Sequence, residues 1–177
     1  MQSVLLVVKP KWCELIASGK KTVEVRKTRP KCDAPFKCFI YCTKEFYRKG
    51  DGYFQGKYCG KVIGEFVCRN MTCMQADIDS QGEKHLYNTA FIENRMCLTD
   101  EELFNYIYDG KRNIGWAWGI SDLVIYDEPK ELNEFAKPCN HNCFDPCPYY
   151  QGKEYECEKP IITRPPQSWC YVEEEVE

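Results

Sequence analysis

The first apolar run, "SVLLVV" at residues 3–8, is unbroken and of strand length, which predicts a strand covered on both faces. "PKWCELIAS" (10–18) predicts a short helix, with Pro10 in its first turn and Gly19 just past its end. Residues 21–27 predict a second strand. Its positions alternate: Val23 and Val25 fall on one face, and Thr22, Glu24 and Arg26 on the other. That dense polar row is either a solvated face or the wall of a cleft that holds something polar. Lys21 falls with the valines in an ideal strand, so it joins Glu24 only if the strand starts irregularly after Gly19.

Further along, "PFKCFIYCT" (35–43) predicts a third strand and "KGDGYFQGKYCGK" (49–61) a Gly-rich turn or hairpin. "KVIGEFVCRNMT" (61–72) predicts another strand, with Gly64 at a bulge. Residues 74–90 are polar and read as a loop with a helical turn. "LTDEELFNYIYDG" (98–110) is a helix, with Thr99 and Glu102 forming a capping box and Gly110 after its end. "WAWGISDLVIYD" (116–127) predicts a strand pair or one long bent strand. The sum is a mainly β, α+β fold: a small β-barrel with flanking short helices over residues 1–136. From 137 to 177 the composition turns to Cys, Pro and polar residues. This extension is expected to be irregular, to pack on the barrel and to end in a frayed acidic tail.

Charge changes the picture more than composition does. Residues 1–75 carry 15 Lys and Arg against 6 Asp and Glu; residues 76–177 carry 9 against 21. A basic N-terminal half fits an anionic partner such as RNA, while the acidic half argues against tracking a long duplex. No stretch approaches the roughly 18 apolar residues of a membrane span, and the apolar start is too short for a signal peptide. The expected setting is the cytoplasm, with no membrane partner.

Thirteen cysteines are many for 177 residues. Eight are scattered through residues 1–136 and read as small core hydrophobes. The tail gathers Cys139, Cys143, Cys147 and Cys157 within nineteen residues. Four thiolates at such spacing suit a structural zinc ion, with His141 or Cys170 as substitutes; an iron–sulfur cluster, disulfides or free thiols are the alternatives. A closed four-cysteine site leaves no coordination position for catalysis.

Gly19-x-Lys21-x-x-Glu24-x-Arg26 resembles the GxKxxExR motif of the ASCH domain family, a branch of the PUA-like β-barrels. "VVKPKWCELIASGKKTVEVRKTRP" and the late strand "GWAWGISDLVIYD" agree with it, over roughly residues 2–136. The ending "TRPPQSWCYVEE" resembles bacterial and phage-borne members. The resemblance implies a barrel whose cleft carries the motif and binds RNA or a modified nucleoside. Some small relatives are hydrolases of N4-acetylated cytidine that pair the motif lysine with a threonine three residues later. Here that position is Glu24, a poor substitute for a hydroxyl nucleophile, which argues for binding over amide hydrolysis.

The residues expected to bind are Trp12, Lys20, Lys21, Glu24, Arg26, Arg29, Arg164 and Trp169, with Tyr41 and Trp118 as further stacking surfaces. Arg26 can grip a phosphate, Glu24 can accept from an exocyclic amine, and an indole can stack on a splayed base. The expected ligand is single-stranded or loop RNA, or a modified nucleoside. Two alternatives stand beside it: a nucleoside or RNA hydrolase using Lys21, Glu24 and Glu93, and a protein-interaction adaptor docking through its tail. No P-loop, GxGxxG, HExxH or GxSxG motif is present.

Overall fold

In a computed structural model, the described residues are 3–49, 52–55, 58–138 and 160–174. Cys139, Cys143, Cys147, Cys157 and His141 lie outside them. The strands are β1 (Ser3–Val8), β2 (Val23–Arg26), β3 (Phe36–Cys42), β4 (Phe46–Lys49), β5 (Gly52–Gln55), β6 (Val62–Ile78), β7 (Lys84–Tyr87), β8 (Ile114–Lys130), β9 (Phe135–Ala136) and β10 (Trp169–Glu174). Three short helices, α1 (Pro10–Ala17), α2 (Glu93–Met96) and α3 (Asp100–Ile107), flank them. The main sheet runs β2-β8-β6-β3-β1-β10-β9, β7 adds to β6, and β4 and β5 form a separate hairpin. The fold is mainly β, as the sequence predicts, but the sheet path does not close into a barrel.

β1 explains its own unbroken hydrophobicity. It lies between β3, to which it is parallel, and β10. Val4, Leu6 and Val8 enter one core cluster with Phe36, Phe66 and Trp118. Leu5 enters a second cluster on the opposite face, with Phe39, Phe135 and Val172. β10, in the tail, is thus a strand of the main sheet. Cys13, Cys38, Cys42 and Cys68 are buried and pack as small hydrophobes. Burial pushes the Cys68 thiol up to about 12.

β6 and β8 are each 17 residues long and pair along their length, with register shifts at three places in their ladder. One lies at Gly64, where a Cβ would meet the Val124 carbonyl oxygen at 2.2 Å. Gly64→Ala is therefore expected to cost about 2 kcal/mol, read as a Tm lower by about 4–8 °C. An unchanged Tm would mean the strands part there at no cost.

β2 shows the expected alternation. Val23 and Val25 pack against Leu103, Phe104 and Ile107 of α3, and Glu24 and Arg26 turn to the other face, opposite Trp118 and Trp116. The Thr99–Glu102 capping box is present at the start of α3. Residues 74–90 differ from the loop expected: β6 continues to Ile78 and turns into β7. The turn is held by Asp79, whose carboxylate accepts from the Gln81 and Glu83 amides. Met74, Ala76 and Leu86 form the inner face of this hairpin, hidden in the sequence among polar outward-facing neighbours. Among the described residues no helix is long and apolar enough to cross a membrane.

Candidate functional site

A cleft of about 290 Å³ opens between α1, β2 and the start of α3. The motif residues form its buried end. The chain between α1 and β2 is irregular: the Lys21 amide bonds to the Leu15 carbonyl and the Thr22 amide to that of Arg95. That break lets Lys21 reach the Glu24 face. Its ammonium donates to the Met96 carbonyl at 2.6 Å and lies 3.4 Å from Glu24 Oε2. Arg26 Nη2 lies 2.9 Å from Glu24 Oε1 and donates to the Val7 carbonyl. Lys21, Glu24 and Arg26 are 2%, 5% and 9% exposed, so this is one carboxylate between two cations, almost out of water.

Arg26 is therefore committed to protein partners and is not a free phosphate grip. Three cations line the cleft, Lys9, Lys21 and Arg26, and three carboxylates, Glu24, Glu45 and Glu102. Lys9 pairs with Glu45 at 3.4 Å across the rim. Glu102 accepts from the Thr99 amide, which holds its carboxyl below the usual range. The lining is electrically balanced, although the N-terminal half of the chain is basic. Three buried atoms at the cleft have no hydrogen-bond partner: Glu24 Oε2, Arg26 Nε and Thr43 Oγ1. Unsatisfied buried polar atoms are uncommon, and a ligand or solvent held in the cleft would satisfy them.

Trp12 forms a wall from α1, with the Lys21 and Lys11 ammonium groups 5.0 and 4.3 Å from its ring. Tyr106 of α3 lines the cleft too, and burial pushes its phenol up. Behind Trp12, the Cys13 thiol donates to the Val8 carbonyl and that of Cys42 to the Thr43 carbonyl; the two thiols interact, which raises Cys13 and lowers Cys42.

Trp12, Lys21, Glu24 and Arg26 are thus brought together, and the other expected residues are placed elsewhere. Lys20 and Arg164 are exposed and outside the lining. Arg29 lies 4.8 Å over the Trp116 ring. Trp169 donates to Thr28 Oγ1 and packs edge-on against Tyr171. Trp118 is 0% and Tyr41 3% exposed, which removes both as stacking surfaces. Glu93 lines a different depression, where it accepts from Thr89 Oγ1. Sequence reasoning missed Thr43, Tyr106 and the Lys9–Glu45 pair. Tyr106 had a signal, as the polar-face aromatic of a capped helix; the other two had none.

The ASCH domain profile matches residues 6–134. The chain belongs to the ASCH domain family. Solved structures agree with this fold. A crystal structure of ASCH from Zymomonas mobilis is 18% identical, with 73% of each chain covered and a TM-score of 0.50. A serine-to-alanine variant of that protein is 16% identical, covering 97% of this chain and 88% of its own, with a TM-score of 0.56. At such identity the likeness concerns the fold. No curated protein sequence matches the chain. Within the ASCH domain, Lys21, Glu24 and Arg26 are the buried end of the cleft.

Proposed function

We propose that this ASCH domain is a binding module for RNA or a modified nucleoside, and that its cleft takes one base. The observation that carries this reading is Glu24. Its carboxylate is buried, fixed by Lys21 and Arg26, and keeps one oxygen without a hydrogen bond, 3.4 Å from the Lys21 ammonium, in the cleft that Trp12 also lines. A carboxylate so placed accepts from an exocyclic amine, as it does from cytosine N4, while an indole supports the base face. The cleft volume suits a small ligand, near the low end of the roughly 300–1,000 Å³ usual for such sites. The balanced lining supports a neutral base over a polyphosphate.

The geometry gives less support to hydrolysis. Lys21 is engaged by a carbonyl and a carboxylate, and Glu93 does not join it. The setting we infer is the cytoplasm, whose reducing conditions suit the buried free thiols. The test is a titration of short labelled single-stranded RNA at two salt concentrations. With one or two phosphates held, log K should fall against log salt with a slope of about −0.7 to −1.4. A steep slope, or no binding at tens of micromolar, would remove RNA as the ligand and leave the modified nucleoside, which the nucleoside titration below tests.

We also place a structural zinc on Cys139, Cys143, Cys147 and Cys157. Their segment is polar, and metal ligation can supply folding energy that apolar burial does not. Among the described residues no cluster of His, Cys, Asp or Glu is set to hold a metal. Protein purified without added metal should carry about one zinc per chain, which four thiolates at this spacing hold tightly. A content well under one zinc or iron contradicts it.

A further inference from the structure

The face of β2 and β8 that carries Glu24 and Arg26 does not stop at the cleft. Arg26 is the cross-strand partner of Trp116, and Trp116 of Cys73. Two residues further along the same face, Ile114 is opposite Gln75, and Gln75 is opposite Tyr87 on β7. The inward assignment of the intervening positions is secure, because a Cβ on Gly115 would meet Ile107, and Met74 and Ala117 are core. Along this face the sheet opens to solvent. Ile114 is 44% and Tyr87 47% exposed, and Gln75 is exposed. His85 follows Tyr87 on the same face, ring centroids 6.4 Å apart. At the cleft end the exposed Arg29 guanidinium rests 4.8 Å over the Trp116 ring.

We propose that this strip is a platform for the bases that flank the one in the cleft, so that the partner is single-stranded RNA of several nucleotides. This rests on the reading of the cleft given above. The strip presents three stacking groups: Tyr87 and the His85 imidazole 6.4 Å apart, and the Arg29 guanidinium over Trp116, two strands away and about 12 Å from Tyr87 by the sheet register. Positions two apart on a strand are separated by about 6.6 Å and neighbouring strands by about 4.8 Å, spacings over which splayed bases can each find a ring. The exposed Gln75 amide stands between Ile114 and Tyr87. Arg29 and Lys31, beside Trp116 and Tyr171, make no ion pair among the described residues, which leaves positive charge where the backbone would leave the cleft. Asp77 also lies on this face, opposite His85, and Asp79 pairs with His85 at 3.0 Å. The phosphates therefore pass on the Arg29 side. Stacking on aromatic rings beside unpaired cations is how single strands are held without duplex geometry.

The test is photocrosslinking of a hexanucleotide carrying 4-thiouridine at each position in turn, with peptide mapping, beside anisotropy on Tyr87→Ala. The expected result is crosslinks to peptides containing Trp116 and Tyr87, and hexanucleotide affinity about tenfold lower in Tyr87→Ala. The exposed position of Tyr87 lets this variant fold, checked by an unchanged melt. Crosslinks confined to the Trp12 peptide would overturn the platform and keep the cleft. Crosslinks confined to the strip would keep the platform and overturn the cleft. Light scattering that finds a dimer dispersed by Tyr87→Ala, with no RNA crosslinked to the strip, would assign this face to a second copy of the chain and overturn the proposal.

Discussion

Glu24→Ala should lower the thermal midpoint by roughly 6–20 °C. Removing one partner of a buried charge group costs about 3–5 kcal/mol, because the charges left behind are neither hydrated nor paired. Here two are left behind. Lys21 is 2% exposed and keeps the Met96 carbonyl and the face of the Trp12 ring; Arg26 is 9% exposed and keeps the Val7 carbonyl. The same reasoning predicts rescue. Replacing all three residues together, as Lys21→Met, Glu24→Leu and Arg26→Met, should recover most of the loss, since apolar groups of similar volume leave no charge unpaired. Thermal melts of the single and triple variants decide it. A Glu24→Ala midpoint within a degree or two of the parent would mean that water reaches the group.

Trp12→Ala should weaken ligand binding by about 5- to 150-fold, the range that loss of one base-stacking ring gives. Trp12 is the cleft's aromatic wall, and Trp118 lies fully buried behind the motif. Trp12→Phe should keep a flat ring in place and lose under about threefold. Calorimetric titration of both variants checks the pair. Equal losses in the two would mean that Trp12 acts through the position of α1 and not through its ring.

Much of this site was legible because β2 has a period of two. The alternation of Val23 and Val25 with Glu24 and Arg26 fixes which residues share a face, and a valine pair needs a core on one side. The irregular start after Gly19 also followed, as the condition for Lys21 to reach Glu24. What did not follow was the use of each charge. Arg26 read as a phosphate grip, yet its partner is the Val7 carbonyl, a backbone group from a strand nineteen residues away that no side-chain pattern announces. Glu93 joins Lys21 and Glu24 in the hydrolase reading, but it lines a different depression and accepts from Thr89 Oγ1. The β6–β7 hairpin was hidden for a related reason. Only Met74, Ala76 and Leu86 of that stretch face the core, too few to stand out among charged neighbours. Trp118 could not be told from a ligand-facing aromatic, since an indole packed against Phe36 and one awaiting a base look alike in sequence.

The four tryptophans, Trp12, Trp116, Trp118 and Trp169, give the most direct test of the cleft. Their indole N–H resonances form a small, assignable set, with Trp12→Phe identifying one by its absence. Titrating 15N-labelled protein with cytidine and with N4-acetylcytidine should shift the Trp12 signal in a saturable way and leave that of buried Trp118 almost still. A nucleoside that binds without moving the Trp12 signal would contradict the account, because the ligand would then lie somewhere other than beside Glu24.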